Sequence, residues 1–298
     1  MTAIPVEERQ HWIGASEVAS LFDLSPFKTR FELWHEKSGT LPPPNLDDNE
    51  RVMAGRHLET GIAAWAAEKW RWPIESFDDY SPHPSVPKLG ASLDFHTPDS
   101  GDPVEIKTVD YGLFRDNWAT DQDVITDAPM NYVLQVQAQM ACRPGTERGW
   151  LVACVGGNKL YRMEIPRHDA MIERIEREVQ AFWDSVEAGQ PPAPNFALDA
   201  DAIAALYSGE GGEKIDLREN NRATQLAYLY QEESRKVRES EKVKRAALAE
   251  LKTMMNDAQS AVLGDGFTVK ATWIKEAVIE KKGYFRFNVI QREIKDDE

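Results

Sequence analysis

The stretch GQPPAPNFALDA, residues 189–200, sets the architecture before anything else. Each of its prolines lacks a backbone N–H and fixes φ, so neither a long helix nor a central strand runs through it. Such a segment reads as an exposed linker. Helix-like and strand-like runs alternate before it, and a mainly helical composition follows. The chain is therefore expected to divide near residue 195, into 1–195 and 196–298. A length of 298 residues suits one large domain or two smaller ones. No internal repeat of fixed period is visible.

In the first part, SEVASLFDLSP predicts a short helix with Ser16 as its N-cap. TRFELWHEKSG predicts a second, stopped by Gly39. A longer helix is expected from Asp48 to Trp70. Its apolar stripe is Val52, Gly55, Ile62, Ala63, Ala66 and Trp70, spaced by threes and fours. Strands are expected over 74–80, 90–96, 103–109, 149–155 and 159–165, with helices over 129–141 and 167–188.

In the second part, ADAIAALYSG predicts a small helix, and residues 222–263 hold neither proline nor glycine. Leu226, Tyr230, Val237, Ala247, Leu251, Met254 and Ala258 roughly follow a four–three spacing, interrupted by Glu233, Ser240 and Lys244. This predicts a helical arm or coiled-coil-like hairpin, with the charges of ESRKVRESEKVKR forming a solvated face. After a GDG turn, FTVKATWI and YFRFNVI both alternate and predict a terminal β-hairpin. Trp273 and Phe285 are expected to pack against the arm, with base stacking as the alternative.

Composition narrows the function classes. No apolar run approaches the roughly 18 residues a membrane span needs, and MTAIPVEERQHW has no secretory pattern, so no membrane association is expected. The two cysteines, Cys142 and Cys154, build neither a disulfide framework nor a four-cysteine metal site. They fit a reducing compartment, so a cytoplasmic location is expected. The net charge of −15 argues against nucleic-acid binding over the whole surface but leaves room for a local basic groove.

The chemistry starts at PVEIKTV, residues 103–109. Side chains alternate along a strand, so Glu105 and Lys107 share one face, while Val104 and Ile106 take the other. An acid–x–Lys pair alone is weak evidence, because surface strands often carry such ion pairs. The preceding run, LGASLDFHT, places Leu93 and Phe95 on one face and Ser92, Asp94 and His96 on the other. TPDSGDP would turn it back onto PVEIKTV as a hairpin. Asp94, Glu105 and Lys107 then converge. Two facing carboxylates repel each other, and a divalent cation relieves that. An all-oxygen site favours Mg²⁺ or Mn²⁺.

Glu59 adds a third acid, on the apolar stripe of the long helix, where a carboxylate needs a partner or a metal. In YVLQVQAQM, Gln135 lies one turn from Tyr132 and could orient a water or a phosphate. The set suits metal-assisted phosphodiester hydrolysis: carboxylates hold the cation, and Lys107 handles the attacking water and the charge on the phosphate.

The order of helix with Glu59, strand with Asp94, strand with Glu105 and Lys107, then helix with Gln135 resembles the restriction-endonuclease-like nuclease superfamily. Its signature is Asp…(Asp/Glu)–x–Lys. Within it, RQHWIGASEVASLFDLSPFKTRFELWHEKSG, GRHLETGI, GASLDF, VEIKT and YVLQVQAQM resemble the YqaJ-type viral recombinase or lambda-exonuclease family, over residues 9 to 141. The resemblance implies an α/β fold: a restriction-endonuclease-like core with a mixed sheet flanked by helices in 1–195, extended by a helical arm and β-hairpin in 196–298. It implies a 5′→3′ exodeoxyribonuclease on linear double-stranded DNA, whose 3′ tails feed a strand-annealing recombinase. It further implies Mg²⁺ (or Mn²⁺) on Asp94, Glu105 and the carbonyl of Ile106, with Glu59 as a further metal-proximal acid. Lys107 would be the catalytic lysine, and Gln135 would hold water or substrate. Arg9 and Ser16 would bind the 5′-phosphate, which suits Ser16 at a helix N-terminus. Minimal relatives form a ring-shaped trimer, so a homo-oligomer is a further expectation.

One departure is Ser92-Leu93-Asp94-Phe95, where the family often has Ser-Pro-Asp-Gly. Two cysteines disfavour the iron–sulfur nucleases of the superfamily. A structure- or sequence-specific endonuclease and a non-catalytic DNA-end-binding scaffold are the alternatives.

Overall fold

A computed structural model describes residues 10–46, 48–77, 79–207, 214–276 and 289. The chain divides into two compact units between Leu206 and Tyr207, whereas the proline rule placed the boundary at 195. Asp199 supplies the reason. Its Oδ1 accepts from the Thr29 hydroxyl at 2.5 Å and its Oδ2 from the Asn195 N–H at 2.6 Å. The buried carboxylate stitches the chain beyond the prolines back onto the first unit.

In that unit the strands are β1 (Ile13–Gly14), β2 (Glu75–Ser76), β3 (Tyr80–Pro82), β4 (Leu89–Ser92), β5 (Phe95–His96), β6 (Pro103–Val109), β7 (Ala119–Asp121), β8 (Val124–Asp127), β9 (Arg148–Val155) and β10 (Lys159–Pro166). The helices are α1 (Ala15–Phe22, a 3₁₀ helix), α2 (Arg30–Lys37), α3 (Glu50–Trp70), α4 (Tyr111–Asn117), α5 (Met130–Ala141), α6 (Asp169–Glu187) and α7 (Ala200–Leu206). A seven-stranded mixed sheet runs β2-β5-β6-β9-β10-β8-β7, and a smaller sheet runs β1-β4-β3. The α/β class, with a central mixed sheet flanked by helices, is as expected.

Local chemistry explains the helix ends. Thr29 accepts from the Glu32 N–H at 3.0 Å, and the Glu32 carboxylate accepts from the Thr29 N–H at 2.9 Å, a capping box. Gly39, at φ 77°, stops α2 as expected. Ser16 does not cap α1: it is the helix's second residue and exposed. The Glu17 carboxylate instead accepts from the Gly14 N–H at 3.0 Å.

The expected strand over 90–96 is broken. β4 joins the small sheet and β5 the large one. Leu93 packs with Ile13, Leu134 and Phe182, whereas Phe95 packs with Ile62, Val104 and Val152. The two therefore serve different cores instead of sharing one face, and Asp94 sits at the break between them. The expected strand over 74–80 likewise splits into β2 and β3.

Helix α3 covers one face of the large sheet through Ile62, Ala63 and Ala66, against Val104, Ile106, Val152 and Leu160. Only this C-terminal part of its predicted stripe is buried. Helix α5 covers the other face, with Val136 and Met140 against Leu151 and Ala153. Its opposite side, Leu134 and Ala138, meets α1 and α6. Gly149 makes room for this approach: a Cβ there would lie 2.4 Å from Val136 Cγ1.

In the second unit, α8 (Asn221–Met255) is a single 35-residue helix with no buried residue. It ends before the predicted 263, where Asn256 adopts φ 50°. Beyond it, β11 (Ser260–Val262) pairs with β12 (Thr268–Lys270). The hairpin thus uses residues before the GDG turn, and the YFRFNVI partner, with Phe285, lies outside the described residues except for Val289. Trp273 is 91% exposed and does not pack as expected.

Candidate active site

The polar side chains meet where β5 ends. β5 pairs with β6 only at Phe95–Val104 and His96–Pro103. Past that point the Asp94 side chain takes the place of the missing strand, and its Oδ2 accepts from the Ile106 N–H at 3.1 Å. The N–H and C=O of one strand residue leave by the same edge, and successive residues alternate. The Val109 carbonyl accepts from the Gly156 N–H on the β9 side. Two-residue alternation then aims the Ile106 carbonyl at the Asp94 edge, unspent on β9.

Glu105 lies deeper, 2% exposed. Its Oε1 pairs with the Lys107 ammonium and accepts from Gln135 Nε2 at 2.6 Å. Its Oε2 accepts from Gln139 Nε2 at 2.5 Å. Lys107 also lies over the Tyr132 ring, 5.4 Å from its centroid. The predicted same-face placement of Glu105 and Lys107 is therefore an ion pair, lodged against α5. Glu59 approaches from α3, on the other face of the sheet, and is half-buried.

The electrostatics are strained toward excess negative charge. Burial, and then the Glu105 charge, push the Asp94 carboxyl well above the usual carboxylate range, against the pull of Lys107. Burial raises Glu59 too, with Glu105 adding to it and Lys107 and Arg56 opposing. Burial works against the Lys107 charge, but Glu105 and Asp94 outweigh it and hold the ammonium above its ordinary value. Lys107, helped at Glu59 by Arg56, faces three acids, an arrangement that a divalent cation would relieve.

The donor set fits such a cation. Asp94, Glu105 and the Ile106 carbonyl offer hard oxygens. Among the described residues no three His, Cys, Asp or Glu side chains gather into a ready cage. Asp94, Ile106, Glu105, Lys107 and Gln135 are thus joined in one cluster, with Glu59 acting on it through its charge. Ser16 lies on α1, which packs on the side of α5 away from the large sheet. Arg9 lies outside the described residues.

Gln139 escaped the sequence reading. Its signal was the spacing in QVQAQ: residues 135 and 139, four apart, share a helix face. Gln137 turns elsewhere, donating to the Pro166 carbonyl at 2.8 Å and accepting from the His168 N–H at 3.0 Å.

Comparison with known proteins agrees with the resemblance. Residues 6–148 match the model of the YqaJ-like viral recombinase domain. The chain is 27% identical over 266 residues to the uncharacterized protein YqaJ of Bacillus subtilis (strain 168), covering 87% of this chain and 79% of that protein. Among solved structures it is similar to an alkaline exonuclease from Laribacter hongkongensis, with 22% identity and a TM-score of 0.48, over 66% of this chain and 96% of that one. A phage-related exonuclease from Haemophilus somnus 129PT is also similar, with 10% identity and a TM-score of 0.44, over 59% of this chain and 94% of that one. No helix among the described residues is long and apolar enough to cross a membrane.

Proposed function

We propose that the chain is a Mg²⁺- or Mn²⁺-dependent exodeoxyribonuclease that degrades linear double-stranded DNA from the 5′ end. The 3′ single-stranded tail it leaves is a substrate for a strand-annealing recombinase. The observation that carries this reading is the cluster at the end of β5. There Asp94 accepts from the Ile106 N–H, beside the buried Glu105, and Lys107 is paired to Glu105. The match to the YqaJ-like viral recombinase domain supports DNA recombination as the setting.

Asp94, Glu105 and the Ile106 carbonyl would hold the cation, with Glu59 nearby. When bound, the cation supplies a more acidic water and charge stabilisation at the phosphate. Lys107 positions the attacking water and offsets charge on the scissile phosphate. Gln135 keeps the Glu105 carboxylate turned and can accept or donate to that water. Arg9 and Ser16 are assigned to the 5′-phosphate by resemblance.

The test is digestion of linear duplex labelled at the 5′ or the 3′ end, with Mg²⁺ or with EDTA. Label released progressively from the 5′ end is expected. EDTA should abolish release, and Lys107→Ala should slow it by about a hundredfold or more. Internal fragments, also from closed circles, would instead make the protein an endonuclease. Intact DNA with the wild type would make it an end-binding scaffold.

A further inference from the structure

Two buried glutamines of α5 differ in how they spend their hydrogen bonds. Gln137 uses both ends of its amide on backbone, the Pro166 carbonyl and the His168 N–H. Gln139 is 0% exposed, donates to Glu105 Oε2, and leaves its own Oε1 buried with no partner among the described residues. An apolar side chain of similar length would fill the same space without stranding an acceptor. Packing alone therefore does not account for an amide at this position; its contact with Glu105 does.

The carboxylate shows what that contact achieves. An ionised carboxylate has two oxygens and about four acceptor positions. Oε1 of Glu105 takes two donors, Lys107 Nζ and Gln135 Nε2. Oε2 takes one, Gln139 Nε2. The open position is on Oε2. We propose that Gln139 is a positioning residue that fixes the Glu105 carboxylate so that Oε2, and not Oε1, presents its remaining lone pair to a divalent cation. This rests on the metal-dependent reading above and adds which oxygen binds and which side chain aims it. Lys107 and Gln135 stay on Oε1, free of competition with the cation.

The experiment is Mn²⁺ titration of the full-length chain, followed by the paramagnetic resonance of free Mn²⁺, without DNA and at fixed pH. Wild type, Gln139→Met and Glu105→Gln are compared. Gln139→Met should raise the Mn²⁺ Kd by about tenfold, the scale of lost outer-sphere support. Its binding to linear duplex in EDTA should not change, and its kcat should recover as Mn²⁺ saturates. An unchanged Kd in folded Gln139→Met overturns the proposal while leaving the metal reading standing. A wild type that takes up no Mn²⁺, matching Glu105→Gln, overturns both. Gln139→Leu is measured alongside. If neither variant folds, Gln139 serves stability and the positioning role is overturned.

Discussion

Helix α5 has 12 residues, of which eight are buried, whereas α8 has 35 and none is buried. They stay helical by different means. α5 is flanked on both sides and takes its order from packing, which is where most helical stability in proteins comes from. Its buried glutamines cannot reach water, and Gln135 and Gln139 find Glu105 as a partner. α8 relies on length, good helix formers and solvated i,i+4 pairs such as Glu232–Lys236 and Arg235–Glu239, each contributing little. A buried polar group is thereby committed to a geometry, while an exposed one is free to move. The candidate site sits where the commitment is. Substitutions near α5 should therefore cost much, and losses in the second unit little.

Asp94→Asn should show the largest effect, and in two opposite directions. Cleavage should fall by at least about a hundredfold, because the proposed cation site loses a ligand. Stability without metal should rise. Asp94 keeps its proton to a higher pH in the folded chain than in the unfolded one. Below the unfolded value, about 3.9, both states are protonated and nothing is lost. As pH climbs from there toward the folded value, the unfolded chain releases its proton first and folding is disfavoured. Asparagine escapes that loss. In EDTA at pH 7 the variant should melt above wild type, and the gap should close toward pH 3. Added Mn²⁺ should stabilise wild type and reverse the order. A variant that melts lower in EDTA at pH 7 would break the charge argument.

Gly149→Ala tests the packing side of the contrast. The new methyl would meet Val136 Cγ1 at 2.4 Å and Pro103 Cγ at 3.1 Å. α5 must then lift from the sheet, at a cost of about 1–3 kcal/mol. A domain of this size loses about 2–4 °C in Tm for each kcal/mol. Val136 adjoins Gln135, so the same shift should loosen the hold on Glu105. A fall in kcat of about tenfold to a hundredfold is expected. Calorimetry with the end-labelled digest checks both. A destabilised variant with full kcat would separate packing from the site.

Legibility followed the same divide. Strand period placed Glu105 with Lys107, and they are ion-paired. The hairpin reasoning brought Asp94 to β6, although through a side-chain contact past the end of β5. The break at Leu93–Asp94 was hidden because both flanking runs are short and apolar, and only the assembled sheets show that they serve different cores. α4, β7 and β8 were missed because few of their side chains are buried, Phe114 and Ile125 among them, so no period stands out. Gln139 was missed because three alternate glutamines look like a polar flank until tertiary contacts distinguish 135 and 139 from 137. In the arm, the four–three spacing predicted the helix, but its apolar positions are not buried, and the expected packing of Trp273 against it is absent.

The smallest effect should come from the largest change. Deleting residues 207–298 removes the whole second compact unit. The cut falls after α7, so the Asp199 bonds to Thr29 and Asn195 remain. The buried clusters behind β6, β9 and α5 draw all their members from residues before 207. The shortened chain should keep its melting temperature to within the equivalent of about 0.5 kcal/mol, the scale of surface changes. It should also keep end-directed cutting at comparable kcat. Thermal melting and the end-labelled digest decide this together. A shortened chain that melts normally yet no longer cuts would mean that the second unit supplies assembly or a grip on DNA, and the solvated charges and bare apolar positions of α8 would then be the place to look.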